Sequence, residues 1–355
     1  MTLLKLQKLR KEMSEKNIAA LLITSPYNLR YITGFTGTSG LALVTGEKAF
    51  FITDFRYTEQ AAKQVSEFKV VQAKTTLLEE AASVARAEGI QVLSFEQDFV
   101  TYSSYTQYRD KMDAELKPVS GIIEKIRMFK TAEEISILKT AAEIADAAYE
   151  HICTFIRAGR TELEVSNELE FFMRKQGASS SSFDIIVASG LRSALPHGVA
   201  TDKVIEQGDF VTLDFGALYN GYVSDITRTV SVGEASEQLK EIYQIVLDAQ
   251  VLALEKIVPG MTGVEADAIA RDYIKSKGYG DAFGHSTGHG IGLEVHEAPG
   301  LSFRSQAVLE AGMAVTVEPG IYLPGVGGVR IEDDILLTES GNERLTNSTK
   351  ELRIL

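Results

Sequence analysis

The 355-residue chain is short of several things, and each shortage narrows the field. It has one cysteine, Cys153, so no disulfide can form within it and no thiolate cluster can hold a metal. That usage fits a reducing, cytoplasmic compartment. No stretch approaches 18 apolar residues, which argues against a membrane-spanning helix. The opening MTLLKLQKLR sets basic and apolar residues at helical spacing and lacks the unbroken apolar core of a signal peptide. Nor is positive charge in surplus. The 36 Lys and Arg stand against 49 Asp and Glu, and the net charge of −13 argues against nucleic acid and anionic membrane as partners. Histidine is scarce, with five residues. The 45% hydrophobic content is ordinary for a soluble globular protein, and the length suits two or three domains.

One stretch occurs twice. Ile205–Gly216 (IEQGDFVTLDFG) and Leu309–Gly320 (LEAGMAVTVEPG) share Glu, Gly, Val, Thr, a carboxylate and a final Gly at an offset of 104, so Asp214 falls on Glu318. Gly221–Asp225 (GYVSD) falls on Gly328–Glu332 (GVRIE) at an offset of 107, which puts Asp225 on Glu332. The three extra residues read as a longer loop in the second copy. In the first copy Asn220-Gly221 is a strong two-residue hairpin signal. It sets Tyr219 opposite Tyr222 and Asp214 opposite Thr227. Asp214 and Asp225 then share a face as diagonal neighbours, roughly 7–8 Å apart at the backbone. Acids on a single hairpin need no function, because they can simply face water. Matching acids on two hairpins, inside strands carrying Val211, Leu213, Val315 and Val317, are different. Unpaired carboxylates there would repel one another and lose hydration, and cations relieve both.

Around these hairpins the chain falls into two parts. Residues 1–17 read as an amphipathic helix. Strands are predicted near 18–24, 41–44, 49–52, 68–72 and 90–94, with helices near 57–66, 77–88 and 101–115, which makes residues 1–124 an α/β domain. Its Tyr27–Tyr31 and Asp54–Tyr57 stretches read either as cleft lining or as ion-paired surface. Residues 125–355 form the second domain, opened by a long helix to about 157 with Thr131–Glu134 as capping box. His151 lies within that helix and reads as structural. The repeat reaches upstream of the hairpins: Ala158–Val165 matches Pro259–Ala266 at an offset of 101. Thr161 and Thr262 are predicted N-caps, and Gly177 and Gly278 the corresponding stops. With a second long helix near 235–257, this region reads as two related halves about a pseudo-twofold axis, their hairpins meeting at the centre.

The other four histidines lie outside the long helices: His197 in ALPHG (194–198), and His285, His289 and His296 between Gly284 and Pro299. Gly288, Gly290 and Gly292 read as letting the backbone approach a ligand closely. Four carboxylates and one imidazole make five candidate ligands with a charge of −4, which two divalent cations would neutralise. Oxygen-rich ligation with one His suits Mn²⁺, Co²⁺ or Fe²⁺, and Zn²⁺ stays possible. Two such ions, about 3.5–4 Å apart, can share a water, generate hydroxide near neutral pH and stabilise an oxyanion.

Asp214, Asp225, His289 in Gly-His-Gly-Ile-Gly, Glu318 in Val-Glu-Pro-Gly, and Glu332 resemble the five dimetal ligands of the pita-bread metallopeptidases, the family of methionine aminopeptidase, aminopeptidase P and prolidase. The resemblance covers the C-terminal two-thirds. The N-terminal part, with Asp54-Phe-Arg-Tyr57, resembles the creatinase-type domain of aminopeptidase P and prolidase. Leu195–Gly198 and the run ending at Pro299 resemble the branch that cleaves Xaa-Pro bonds. The fold implied is an α/β creatinase-type domain followed by an α+β pita-bread catalytic domain with its internal repeat. The activity implied is that of a dinuclear metal-dependent exopeptidase. In it Glu318 also serves as general base. His296 binds the carbonyl oxygen or tetrahedral intermediate, and His197 donates near the leaving proline nitrogen. His285 and Arg330 are candidates for binding the proline side or a terminal carboxylate. Arg330 shares a strand face with Glu332, so a structural salt bridge is an equal alternative. The resemblance also implies a homodimer whose N-terminal domain shapes the partner's cleft. Xaa-Pro dipeptidase (prolidase) is placed ahead of aminopeptidase P, which acts on longer peptides, because the N-terminal part is short. Relatives that bind proteins without catalysis, and creatinase-like hydrolases that work without metal, lack the ligand set that is complete here.

Overall fold

The computed structural model describes residues 2–355, which divide into two compact units at the Arg127–Met128 bond. The first unit is built on a six-stranded sheet in the order Lys69–Gln72, Ala49–Thr53, Leu41–Thr45, Ala20–Ile23, Val92–Glu96, Glu115–Val119. Ala20–Ile23 is buried throughout, as a continuous apolar run requires, between an antiparallel and a parallel neighbour. The sixth strand corrects the sequence reading. The helix expected to reach 115 stops at Lys111, and Glu115–Val119 joins the sheet as a parallel edge. Its ELKPV sequence has no apolar run, and an edge position tolerates Pro118. The Asp54–Tyr57 stretch contains an ion pair, Arg56 donating to Asp54 at 2.9 and 2.8 Å.

In the second unit three of the four long helices open alike. Thr131, Thr161 and Thr262 each accept the N–H of a glutamate three residues on, and Glu134, Glu164 and Glu265 return the contact to the threonine N–H. The helices Glu162–Lys175 and Gly263–Ser276 run out just before Gly177 and Gly278, whose φ values are 109° and 90°. Each half then buries its helices on a sheet. In the first, Ala132–Phe155 and Glu162–Lys175 enclose Leu169, Val187 and Leu213 with the strands Ile186–Ser189, Phe210–Phe215 and Ile226–Ser231. In the second, Glu237–Lys256 and Gly263–Ser276 enclose Val246, Ile274 and Val315 with Ala314–Val317 and Asp333–Leu337. His151 stacks on Phe172, ring centroids 4.2 Å apart, and pairs with Glu168 at 2.6 Å, a structural setting as read.

The hairpins meet at the seam between the halves. Glu332 N–H donates to the Thr227 carbonyl at 3.1 Å, and the Thr229 hydroxyl donates to the Arg330 carbonyl at 3.1 Å. In the first hairpin Tyr219 faces Tyr222 and Asp214 faces Thr227, as the turn signal required. Asn220 and Gly221 take the two positive φ values, 47° and 85°, of a type I′ turn. The second hairpin departs from the reading. Leu323 pairs with Gly327, so the loop is only one residue longer than in the first copy. The other two extra residues slide the ladder. Val317 pairs with Asp333 and Gly320 with Arg330, which sets Glu318 directly opposite Glu332 rather than diagonal to it. A slide of two keeps every side chain on its original face.

Arg228 ties the seam together. It is fully buried, and its guanidinium donates to the carbonyls of Thr227, Glu332, Ser348 and Thr349 and to the Asp333 carboxylate. Burial alone would raise the Asp333 pKa, but Arg228 and Lys350 hold it below the usual value. Replacing Arg228 by Leu removes the main countercharge of a buried carboxylate. It is expected to cost about 3–5 kcal/mol, read as a lower urea midpoint for the unfolding of the second unit. An unchanged midpoint would mean that Arg228 does not hold the seam.

Candidate metal centre

The four acids occupy equivalent places beside the seam. Asp214 lies one residue before the end of the apolar strand Phe210–Phe215, and Asp225 lies between the short strand Tyr222–Val223 and Ile226–Ser231. Glu318 follows Ala314–Val317, and Glu332 precedes Asp333–Leu337. Backbone bonds from neighbouring elements locate three of them. Asp225 N–H donates to the buried Asp334 carboxylate at 2.9 Å, Glu318 N–H to the Thr287 carbonyl at 2.7 Å, and Glu332 N–H to Thr227 as above. The Thr227 hydroxyl donates to Glu332 Oε2 at 2.6 Å.

His289 enters on the strand Gly288–Gly290. Its glycines answer a demand other than the expected one. A Cβ at Gly288 would lie 1.9 Å from the Thr316 carbonyl oxygen, and one at Gly290 2.3 Å from that of Ala298. What approaches these glycines is the backbone of adjacent strands, not a ligand. His289 Nδ1 lies 3.1 Å from the Gly290 carbonyl; as donor there, it leaves the Nε2 lone pair facing the acids. Nε2 is 3.3 Å from Glu318 Oε1 and 3.8 Å from Asp225 Oδ2. One donor atom each from Asp225, His289 and Glu332 lie within 4.8 Å of one another.

All nine residues singled out in the sequence line one pocket of about 550 Å³, whose wall also carries Phe183, Ile186, Val199 and Val295. His296 and His197 are exposed at this wall, the His296 ring 4.4 Å from that of His289. His285 lies 2.8 Å from the Tyr322 hydroxyl through Nε2 and 2.8 Å from the Ser286 carbonyl through Nδ1. Burial, helped by the Arg330 charge, lowers its pKa to about 4, so it is neutral near pH 7. Arg330 is 3% exposed and pairs with Asp214 rather than Glu332. Its remaining donors reach the Thr227 hydroxyl at 3.1 Å, the Pro196 carbonyl at 3.1 Å and the Tyr322 hydroxyl at 2.8 Å. A guanidinium so engaged has little left to offer a ligand. Tyr322 was passed over in the sequence. The signal was there: by period-two alternation it shares a face with Gly320 and hence with Arg330 across the ladder.

The electrostatics are those of a site short of positive charge. Burial raises the Asp225 and Glu332 pKa values far above normal, and the facing acids push them further. Burial likewise lifts Glu318 to about 7, against the pull of Arg330. Asp214 Oδ1, Asp225 Oδ1 and Glu332 Oε1 are buried with no hydrogen-bond partner. Desolvated anionic oxygens without donors, converging beside a free imidazole lone pair, are the donor set that a hard or borderline divalent cation takes. The residues present therefore fit a divalent metal.

Comparisons with known proteins agree with this chemistry. Residues 136–339 match metallopeptidase family M24, and residues 5–129 match the creatinase/prolidase N-terminal domain. An Xaa-Pro dipeptidase structure from Bacillus anthracis is 62% identical, with both chains covered completely and a TM-score of 0.99. The Xaa-Pro dipeptidase of Pyrococcus furiosus is 45% identical over 98% of this chain and 99% of its own. An X-Pro aminopeptidase structure from Thermotoga maritima is 41% identical, covering 97% of this chain and 100% of its own, with a TM-score of 0.91. With the creatinase/prolidase domain ahead of a pita-bread catalytic unit, the chain belongs to metallopeptidase family M24 and is a metal-dependent peptidase.

Proposed function

We propose that the protein is an Xaa-Pro dipeptidase working with two divalent ions, of which Mn²⁺ best suits the ligands and Co²⁺, Fe²⁺ or Zn²⁺ are alternatives. The carrying observation is the group of buried acids with three partnerless oxygens around one imidazole, in a chain that matches Xaa-Pro dipeptidases along nearly its whole length. Asp214, Asp225, His289, Glu318 and Glu332 hold the ions. Bound there, the ions supply a lowered pKa for water and Lewis-acid polarisation of the scissile carbonyl.

The chain's own groups do the rest. Glu318 takes the proton that the attacking water gives up and returns it to the leaving proline nitrogen. His296 donates to the carbonyl oxygen as charge builds on it, and His197 donates near the leaving nitrogen. His285, neutral and oriented by Tyr322 and Ser286, borders the proline side. Arg330 is a positioning group that fixes Asp214 rather than a substrate clamp. The apolar wall of Phe183, Ile186, Val199 and Val295 excludes water around a short substrate. A homodimer and a cytoplasmic setting belong to the same proposal.

The X-Pro aminopeptidase likeness keeps one other reading open, release of the first residue from longer peptides. Metal-stripped protein resupplied with one ion at a time, and given Ala-Pro and Arg-Pro-Pro, separates the two. Ala-Pro is expected to be cleaved best with Mn²⁺. Efficient release of Arg from the tripeptide with Ala-Pro untouched would select the aminopeptidase reading. Asp225→Asn and Glu332→Gln should each lower turnover by at least about 10³-fold with little change in far-UV circular dichroism. Turnover and bound metal both at the unsubstituted level would remove that residue from the centre.

The raised carboxylates also set a pH dependence with a definite sign. Between the ordinary carboxylate range and pH 7 the folded, metal-free protein binds more protons at Asp225, Glu318 and Glu332 than the unfolded chain does. The contribution of these acids to stability therefore falls as pH rises, opposed up to about pH 6.5 by His285, His289 and His296, whose lowered pKa values leave them less protonated when folded, and unopposed by them above it. The Tm of stripped protein is expected to drop from about pH 6.5 to pH 8, and saturating Mn²⁺ should abolish the drop. A stripped protein whose Tm rises over that range would contradict the placement of the acids.

A further inference from the structure

We infer that Glu162 is a positioning residue for this peptidase, acting through His197; the inference rests on the role proposed for His197 above. Glu162 is the first residue of the helix Glu162–Lys175, is 0% exposed and does not line the pocket. Its carboxylate nonetheless gathers six hydrogen bonds. Oε1 accepts from the Ser189 N–H at 2.8 Å, the Ser189 hydroxyl at 2.9 Å and Arg192 Nε at 3.2 Å. Oε2 accepts from Arg192 Nε at 3.0 Å, the Thr201 N–H at 3.1 Å and the Thr201 hydroxyl at 2.8 Å.

The donors have a pattern. Ser189 and Thr201 are the two ends of the loop that brings Pro196, His197 and Val199 to the pocket wall. Arg192 sits inside that loop and donates through Nη2 to the Val199 carbonyl at 2.7 Å. One buried carboxylate thus closes the loop at both ends and braces its middle. Apolar burial does not hold this loop, since Leu191, Leu195 and Val199 are 63%, 50% and 47% exposed. Charge-assisted bonds in a dry site are the stronger means of fixing it. An acid needed only to neutralise Arg192 would have no use for four further donors from the loop ends.

The second half repeats the arrangement with different residues. Asp267, on the helix Gly263–Ser276 and 1% exposed, binds Arg271 at 2.6 and 2.8 Å and accepts from the Thr287 N–H and hydroxyl at 3.0 and 2.8 Å. Arg271 donates to the carbonyls of Phe283 and His285 at 3.0 and 2.7 Å. In each half an acid on the second helix, joined to an arginine, sets the loop that carries a pocket histidine.

The test is a double-mutant cycle on the Mn²⁺-loaded protein with Ala-Pro as substrate. Glu162→Gln keeps the size but loses acceptor capacity; Arg192→Ala, a less buried change, carries the test if Glu162→Gln does not fold. Each is expected to lower kcat/KM roughly 10–100-fold. Combined with His197→Ala, each should add less than about twofold, with bound metal per chain unchanged. The imidazole NMR signal of His197, identified by its loss in His197→Ala, should shift or split in both variants while that of His151 stays. Equal losses in the presence and absence of His197 would overturn the proposal, as would an unmoved His197 signal. If His197→Ala itself leaves kcat/KM unchanged, the role given to His197 fails, and the NMR signal alone then decides whether Glu162 positions it.

Discussion

Four carboxylates in one desolvated pocket repel each other, and the rest of the second unit is arranged around that repulsion. Taking such charges out of water is costly unless they are paired or neutralised. The protein answers differently at each position. Asp214 is given a permanent counterion in Arg330, while Asp225 and Glu332 are left with partnerless oxygens and pKa values pushed far up. A set of acids so frustrated is relieved by divalent cations, which neutralise the charge that burial makes costly. The strain that makes the site poor as structure is what makes it good as a receptor for metal.

Holding the acids together against their repulsion falls to contacts between the halves. Arg228 and the Thr227–Glu332 bonds lock one hairpin onto the other, and the backbone bonds to Asp334 and Thr287 fix where Asp225 and Glu318 begin. His197 and His285 need separate support, because they ride on loops rather than strands. The carboxylates of Glu162 and Asp267 give it from helices outside the pocket wall. The four acids thus sit on the strands and at their seam, and braced loops carry His197 and His285 to the pocket wall.

Much of this was legible in the chain. Acids inside apolar strands break the ordinary burial rule, and their recurrence at a fixed offset made Asp214, Asp225, Glu318 and Glu332 stand out. The capping box at Thr131 and the N-caps at Thr161 and Thr262 are local and were equally plain. What stayed hidden acts across distance or without an apolar pattern. Arg228 reads as one more cation until the chain returns Asp333 and Ser348 to it more than a hundred residues later. Glu162 looks like a helix-opening acid until Ser189 and Thr201 fold back onto it. The Glu115–Val119 edge has too little hydrophobicity to announce a strand. Gly288 and Gly290 were noticed for the wrong reason, since a single sequence cannot say whose backbone comes close.

The uneven loops of the two hairpins carry one more consequence. Of three surplus residues in the second copy, one widened the turn and two slid the ladder. Had the split gone the other way, Arg330 would have swapped sides with Val329, and the guanidinium would have left Asp214 for the apolar interior. Length changes in these duplicated ribbons are therefore governed by parity. Even steps pass silently along the strands, and an odd remainder has to be spent at the tip, so drift between the copies could accumulate without ever turning an acid away from its fellows.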